Sequence, residues 1–516
     1  MGGYMGNKLD YRFVEGYWLD QQQIASIEND TQNTLVIAGA GTGKTTTIIG
    51  KIKWILNKWQ LEEKNTPPPK ILAVSFTHAS RVELEERILA EILQDDLVFK
   101  IYHPKDFIEV ETFHSLALKI IKDRLCERQL EESGFESFLK LSHSNLSEGK
   151  TENLDHLYSL VRNYHVSFAE IRDGLRRKFR YFWHKEDLKQ NLTQLEELKV
   201  LASQYEEHLK ENHSIDFAGL LEEAASHINP IYAYDYVIID EYQDISPLEY
   251  LLIRSLRELR PFKLLCVGDD WQTIYQFAGS EISLILNFEK CWGETSRFKI
   301  EQTYRFPEKL AKLSGKFIMK DRTQLRKQIR GALIYGEDQI VEINGPSERT
   351  DLNSIYFFFL NMPEHASVFL IGRYNFDIKK ISRCEFLSFE ISEEKVLISM
   401  HERPDLRISF LSAHKSKGLQ ADYVLIINCR NTVLGFPSRV KENDIFHIVR
   451  EVAIQKLERR KTKKRMREKF SEERRLFYVA MTRARKRILF LTVQEQESPF
   501  ILELREEEEL NTYYLD

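Results

Sequence analysis

The stretch AGAGTGKTT (38–46) constrains this chain more than any other. An apolar run, NTLVI, leads into it, and a run suited to a helix follows. Strand, glycine-rich turn and helix in that order form a Walker A phosphate cradle. The glycines let backbone N–H groups approach phosphate oxygens, and the helix start adds its positive end. Lys44 is expected to reach the outer phosphates of ATP, and the Thr45 hydroxyl to bind Mg²⁺. Gly39, Ala40, Gly41, Thr42, Gly43 and Thr46 complete the wrap. Ala38 occupies the first glycine position of the general pattern.

Other apolar runs end in chemistry in the same way. YDYVIIDEYQD stops at Asp240 and Glu241, and FKLLCVGDD stops at Asp269 and Asp270. KILAVSFTHAS reads as a fourth strand of one parallel sheet whose ends face a ligand. Beside a Walker A turn, Asp240 is the expected Mg²⁺ residue and Glu241 the base that deprotonates the attacking water. Phosphoryl transfer also needs cations around the γ-phosphate. Arg305 in EQTYRF and Arg483 in YVAMTRARKR are candidates if a second lobe closes on the nucleotide.

At 516 residues the chain has room for about three or four domains. Charged residues make up 30% and apolar residues 42%, the balance of a globular protein with a real core. No apolar run reaches the roughly 18 residues of a membrane span, and no leader-like segment opens the chain, so a cytoplasmic location is expected. Five scattered cysteines form no C-x-x-C pair, which argues against a zinc or iron–sulfur site. A net charge of −5 carries no general nucleic-acid signal. Two basic clusters, 172–185 and 456–469, are candidate contacts or simply solvated helix faces.

The expected fold is α/β, with two parallel-sheet lobes, the first built around the P-loop. The first lobe would occupy 1–112 and 215–290, interrupted by a helical insertion at 113–214, where periodicity turns helical. The second would occupy 291–516, with a reduced insertion near 318–350 and a basic helical insertion near 436–471. The loop CVGDDWQTIYQFAGS (266–280) mixes acids and an amide with aromatic residues. Trp271 within it is open to either stacking or packing.

Taken in order, LDQQQIASI, AGAGTGKTT, VSFTHASRVELEERI, VETFHSL, IDFAGLL, VIIDEYQD, VGDDWQTIYQFAG, IEQTYRF, LSAHKSKGLQADYV and EERRLFYVAMTRA resemble the UvrD/Rep/PcrA group of superfamily 1 DNA helicases. The wording is nearest its helicase IV branch, and the motifs span about 19–490. The resemblance implies two RecA-like parallel-sheet lobes of the P-loop NTPase type, with ATP between them and single-stranded DNA across their top. Gln23 would read the adenine edge, Tyr304 would stack on the base and Gln420 would face the ribose. Gln272 would sense the γ-phosphate, with Arg305 and Arg483 as finger residues. Phe76, Thr77, His78, His114, Tyr275, Phe277, Arg373, His414 and Lys417 would meet DNA.

Some positions depart from the family pattern. His78 and Ala79 replace Asn and Lys, Phe277 replaces Trp, Ala278 replaces Arg, and Gln420 replaces Glu. The long insertion usual between TYRF and LSAHKSKG is absent or reduced. The expected function is 3′→5′ ATP-dependent translocation or unwinding on single-stranded or tailed duplex DNA. The alternative is an ATP-switched motor subunit of a nuclease, repair or phage-defence complex that unwinds little alone.

Overall fold

The computed structural model describes residues 10–62, 66–93, 103–125, 128–181, 184–333, 340–382, 384–392, 395–458 and 470–515. Six strands form the first sheet, all parallel, in the order 296–300, 33–38, 263–268, 236–239, 71–75, 108–112. Asn33–Ala38 and Ile71–Ser75 are buried throughout, as strands covered on both faces must be. The C-terminal ends of Asn33–Ala38, Tyr236–Ile239 and Lys263–Gly268 deliver the Walker A turn, Asp240 and Asp269 to the same side of the sheet.

The strand Ser296–Ile300, expected to open the second lobe, joins the first sheet instead. It runs parallel to Asn33–Ala38, with Ile300 opposite Ala38. Its half-exposed residues suit the sheet edge it occupies. The Asn33 amide ties this edge down by donating to the carbonyls of Trp292 and Glu294. The lobes therefore divide near residue 301, not 291.

The second sheet has eight strands and is mixed, not wholly parallel. Arg403–Ser412, Ser367–Gly372, Ala421–Ile426, Ala484–Val493, Ile340–Gly345 and Asn511–Tyr514 run parallel in that order. Leu387–Ile391 and Val396–Met400 extend it as an antiparallel pair. The stretch 318–350, expected as a reduced insertion, is instead part of the lobe. Arg330–Leu333 pairs with Gln302–Pro307, and Ile340–Gly345 is an interior strand.

The helical insertion starts later than expected. Phe113–Ile120 packs into the first lobe's core with Leu220, Leu221 and Ala224. The insertion proper is marked off where Gln129–Leu130 pairs with Ser214–Ile215. Its helices Gly134–Ser142, Glu148–Asn163, Phe168–Lys178 and Lys185–Glu211 enclose a separate core. The helix Asp444–Glu458, on the second lobe's chain, completes that core. Its Ile445, Ile448, Val449 and Val452 pack with Leu157, Ile171, Leu175 and Leu198. The approach is close: a Cβ on Gly174 would lie 2.5 Å from Ile448 Cγ2. The second basic cluster lies outside the described residues over 459–469, while Lys456 pairs with Glu170 at 2.7 Å. No described helix is long and apolar enough to cross a membrane.

Candidate functional site

The cradle is built by close approach from three directions. Gly41 and Gly43 sit at φ 71° and 79°, the left-handed region where glycine is at ease. A Cβ on Gly41 would lie 2.4 Å from Arg305 Cβ, and one on Gly43 2.7 Å from Gln23 Nε2. Gln23 is buried with both ends of its amide used. Its oxygen accepts from Asp20 N at 2.9 Å, and its nitrogen donates to Thr42 O at 3.3 Å. From the second lobe, Thr303 Oγ1 donates to Ala40 O (2.8 Å) and Tyr304 N to Gly41 O (3.0 Å). The Tyr304 ring is half exposed, and its hydroxyl donates to Asp20.

Across the cradle, Lys44 Nζ lies 2.7 Å from Glu241 Oε2, and Thr45 Oγ1 lies 3.5 Å from Asp240 Oδ2. Glu241 holds φ 48°, a backbone cost of about 1–3 kcal/mol that aims its carboxylate back at the lysine. Burial disfavours the Glu241 charge, yet Lys44 and Lys417 outweigh it and hold the acid well below its usual range. Asp240 goes the other way, raised by burial and by the neighbouring Glu241 charge. A hydroxyl beside a carboxylate is a hard-oxygen donor set, and these two residues fit Mg²⁺.

Two second-lobe guanidiniums converge opposite the acids. Arg483 is buried, donates to Val479 O and Leu419 O, and reaches Gln272 Oε1 at 3.4 Å. Burial and the nearby Arg305 charge push its pKa down to about 9. Arg305 Nε is buried without a hydrogen-bond partner. Neither arginine has a carboxylate partner among the described residues. Two cations without anions beside a glycine cradle fit a polyphosphate. Gln420 is exposed beside Leu419, whose carbonyl holds Arg483.

Aromatic rings from both lobes line up beyond this site. Phe76 lies parallel to Tyr275 at 6.4 Å, Tyr275 meets Phe277 at 6.2 Å, and Phe277 meets His414 edge-on at 5.1 Å. His114 packs edge-on against Phe217 at 4.9 Å. Phe277 is 36% exposed. His414 is pushed down to about 3 by burial and by the charges of Arg373 and Lys417, so it stays neutral. Thr77 caps the helix His78–Ile92 and His78 is exposed on its first turn.

Residues 19–292 match the UvrD/REP helicase N-terminal domain, and residues 385–496 match the UvrD-like helicase C-terminal domain. The chain belongs to the UvrD/REP helicase family. It is 27% identical to DNA helicase IV of Escherichia coli K12, over 95% of this chain and 70% of that one. Identity to the ATP-dependent DNA helicase Rep of Buchnera aphidicola is 24%, over 87% and 69%. Against the ATP-dependent DNA helicase PcrA of Staphylococcus aureus Mu50 it is 26%, over 62% of this chain and 42% of that one.

Within this UvrD-like chain, two expected DNA contacts are held by internal carboxylates. Arg373 forks onto Glu473 at 2.9 and 2.6 Å. Lys417 pairs with Asp244, donates to Gln272 O at 2.9 Å and lies over the Tyr275 ring at 4.7 Å. Trp271 proves to be a packing residue. It is fully buried among second-lobe residues, edge-on to Tyr478 at 5.4 Å, and its indole N–H donates to Leu325 O. The sequence reading passed over Gln243 and Lys327. Gln243 donates to Glu241 and accepts from Asp269 N, linking two strand ends, and its place inside DEYQD was the available signal. Lys327 had no local signal at all.

Proposed function

We propose that the chain is an ATP-driven motor on single-stranded DNA, translocating 3′→5′ and separating tailed duplexes. The convergence of Arg305 and Arg483 from one lobe on the cradle of the other carries this reading. Gly39–Thr46, Gln23 and Tyr304 would hold ATP, with Gln420 toward the ribose. Thr45 and Asp240 would hold Mg²⁺, which when bound neutralises charge on the phosphates.

The residues divide the work as follows. A γ-phosphate competes with Glu241 for the Lys44 ammonium, and Glu241, once released, takes the proton of the attacking water. Arg305 and Arg483 stabilise the charge that grows on the phosphoryl oxygens. The loop 269–277 starts at this chemistry and ends at Phe277, so lobe movement reaches the aromatic row through one short segment. Bases stack on such rings for about 1–3 kcal/mol each, without regard to sequence.

The test is ATP turnover with and without single-stranded DNA, joined to strand displacement on 3′- and 5′-tailed duplexes. Manyfold stimulation with displacement from the 3′ tail is expected. Turnover unmoved by DNA would overturn the motor reading. Strong stimulation without displacement would assign unwinding to a protein partner.

A further inference from the structure

The loop that carries Gln272 is held from the opposite lobe at its backbone, where Lys417 donates to Gln272 O and Arg475 to Thr273 O, and at its acids by a buried lysine, Lys327. Lys327 lies beyond the helix Glu308–Met319, and its side chain is 0% exposed. Its Nζ sits between the carboxylates ending the strand Lys263–Gly268, paired with Asp269 Oδ1 and 2.9 Å from Asp270 Oδ1. It also lies over the Trp271 ring at 4.5 Å. Leu325, two residues earlier, donates its N–H to Asp270 Oδ2 at 2.7 Å and accepts the Trp271 indole N–H at 3.1 Å. A lysine without water must be paired, and these acids are its only ionic partners among the described residues.

The consequence lies one bond further on. Asp269 spends its other oxygen, Oδ2, on the Gln272 side-chain amide, whose nitrogen donates to it at 2.5 Å. An ionised carboxylate can only accept. Gln272 must therefore turn its N–H toward Asp269 and its oxygen toward Arg483, where the separation is 3.4 Å. A displaced Asp269, or an amide in its place, would free the Gln272 amide to flip and set its N–H against the guanidinium, donor against donor.

We propose that Lys327 is a positioning residue for ATP hydrolysis, fixing the Gln272 amide through Asp269 from the second lobe. This rests on Gln272 acting at the γ-phosphate, as in the function proposed above. Lys327 itself touches no reacting atom.

The test is a double-mutant comparison in the full chain, reading kcat and KM for ATP at saturating oligo-dT. Lys327→Met is expected to lower kcat roughly 10- to 100-fold, with KM for ATP changed by less than about threefold. Placed in a Gln272→Ala background, the same change is expected to cost almost nothing more, because its route runs through Gln272. Asp269→Asn, which leaves Lys327 its pairing with Asp270, should reproduce both results. It substitutes for Lys327→Met if that variant fails to fold. Losses that multiply in the double variants would overturn the proposal and make Lys327 a structural latch only. So would a rise in KM at unchanged kcat. Wild-type turnover in Gln272→Ala alone would instead sink the γ-phosphate role of Gln272, a separate failure.

Discussion

Lys44 and Glu241 face each other across 2.7 Å, each neutralising the other's charge. Lys44→Ala and Glu241→Gln should each abolish ATP turnover in a steady-state assay, with Glu241→Gln still binding nucleotide. Gly41→Ala should do the same for a different reason, since its Cβ would strike Arg305 and its φ is left-handed. These residues were legible in the sequence because phosphate chemistry dictates residue type and spacing together. Trp271 was not, because its environment comes from Leu325, Lys327 and Tyr478 in the other lobe. Trp271→Phe keeps the ring contact and loses the hydrogen bond to Leu325, so it should cost about 1 kcal/mol in urea unfolding. His414 adds a pH dependence. Its folded pKa of about 3 lies below the unfolded value of 6.5, so the unfolded chain binds the extra proton and stability falls as pH drops below 6.5. His414→Gln should flatten that acid-side slope by up to about one proton.

Strands and helices were readable as types, whereas their company was not. An apolar run such as LLCVG announces a buried strand, but nothing in SRFKI says which sheet it will edge. The helix Asp444–Glu458 shows the same gap, since an apolar stripe does not name the surface that covers it. Gly174 marks where that surface lies, with no room for a side chain under Ile448. Gly174→Leu should lower stability by about 1–3 kcal/mol through overpacking, read as a drop in apparent Tm. The same substitution should leave ATP binding intact, because the nucleotide cradle belongs to another core. An unchanged Tm would mean that the two helices are not in contact.

At the level of the whole molecule, motif order alone announced two lobes and a nucleotide between them. What it missed is that, besides meeting around the cradle and the loop 269–277, the lobes meet a second time through the helical insertion. Electrostatics at this scale can be tested on the insertion's outer face, where Arg176, Arg177 and Arg180 are exposed. If they contact the DNA backbone, Arg177→Glu should reduce the slope of log affinity against log salt by about one. An unchanged slope would make them a solvated face. The second meeting point also has a history during synthesis. The insertion's own helices leave the ribosome long before residues 444–458 exist, and chains tend to fold from the N-terminus as they emerge. Until then Leu157, Ile171, Leu175 and Leu198 lack the apolar partners that Ile445, Ile448, Val449 and Val452 give them. Any fragment ending before residue 444 would lack those partners as well, so the insertion's core is shared between two stretches of chain more than two hundred residues apart.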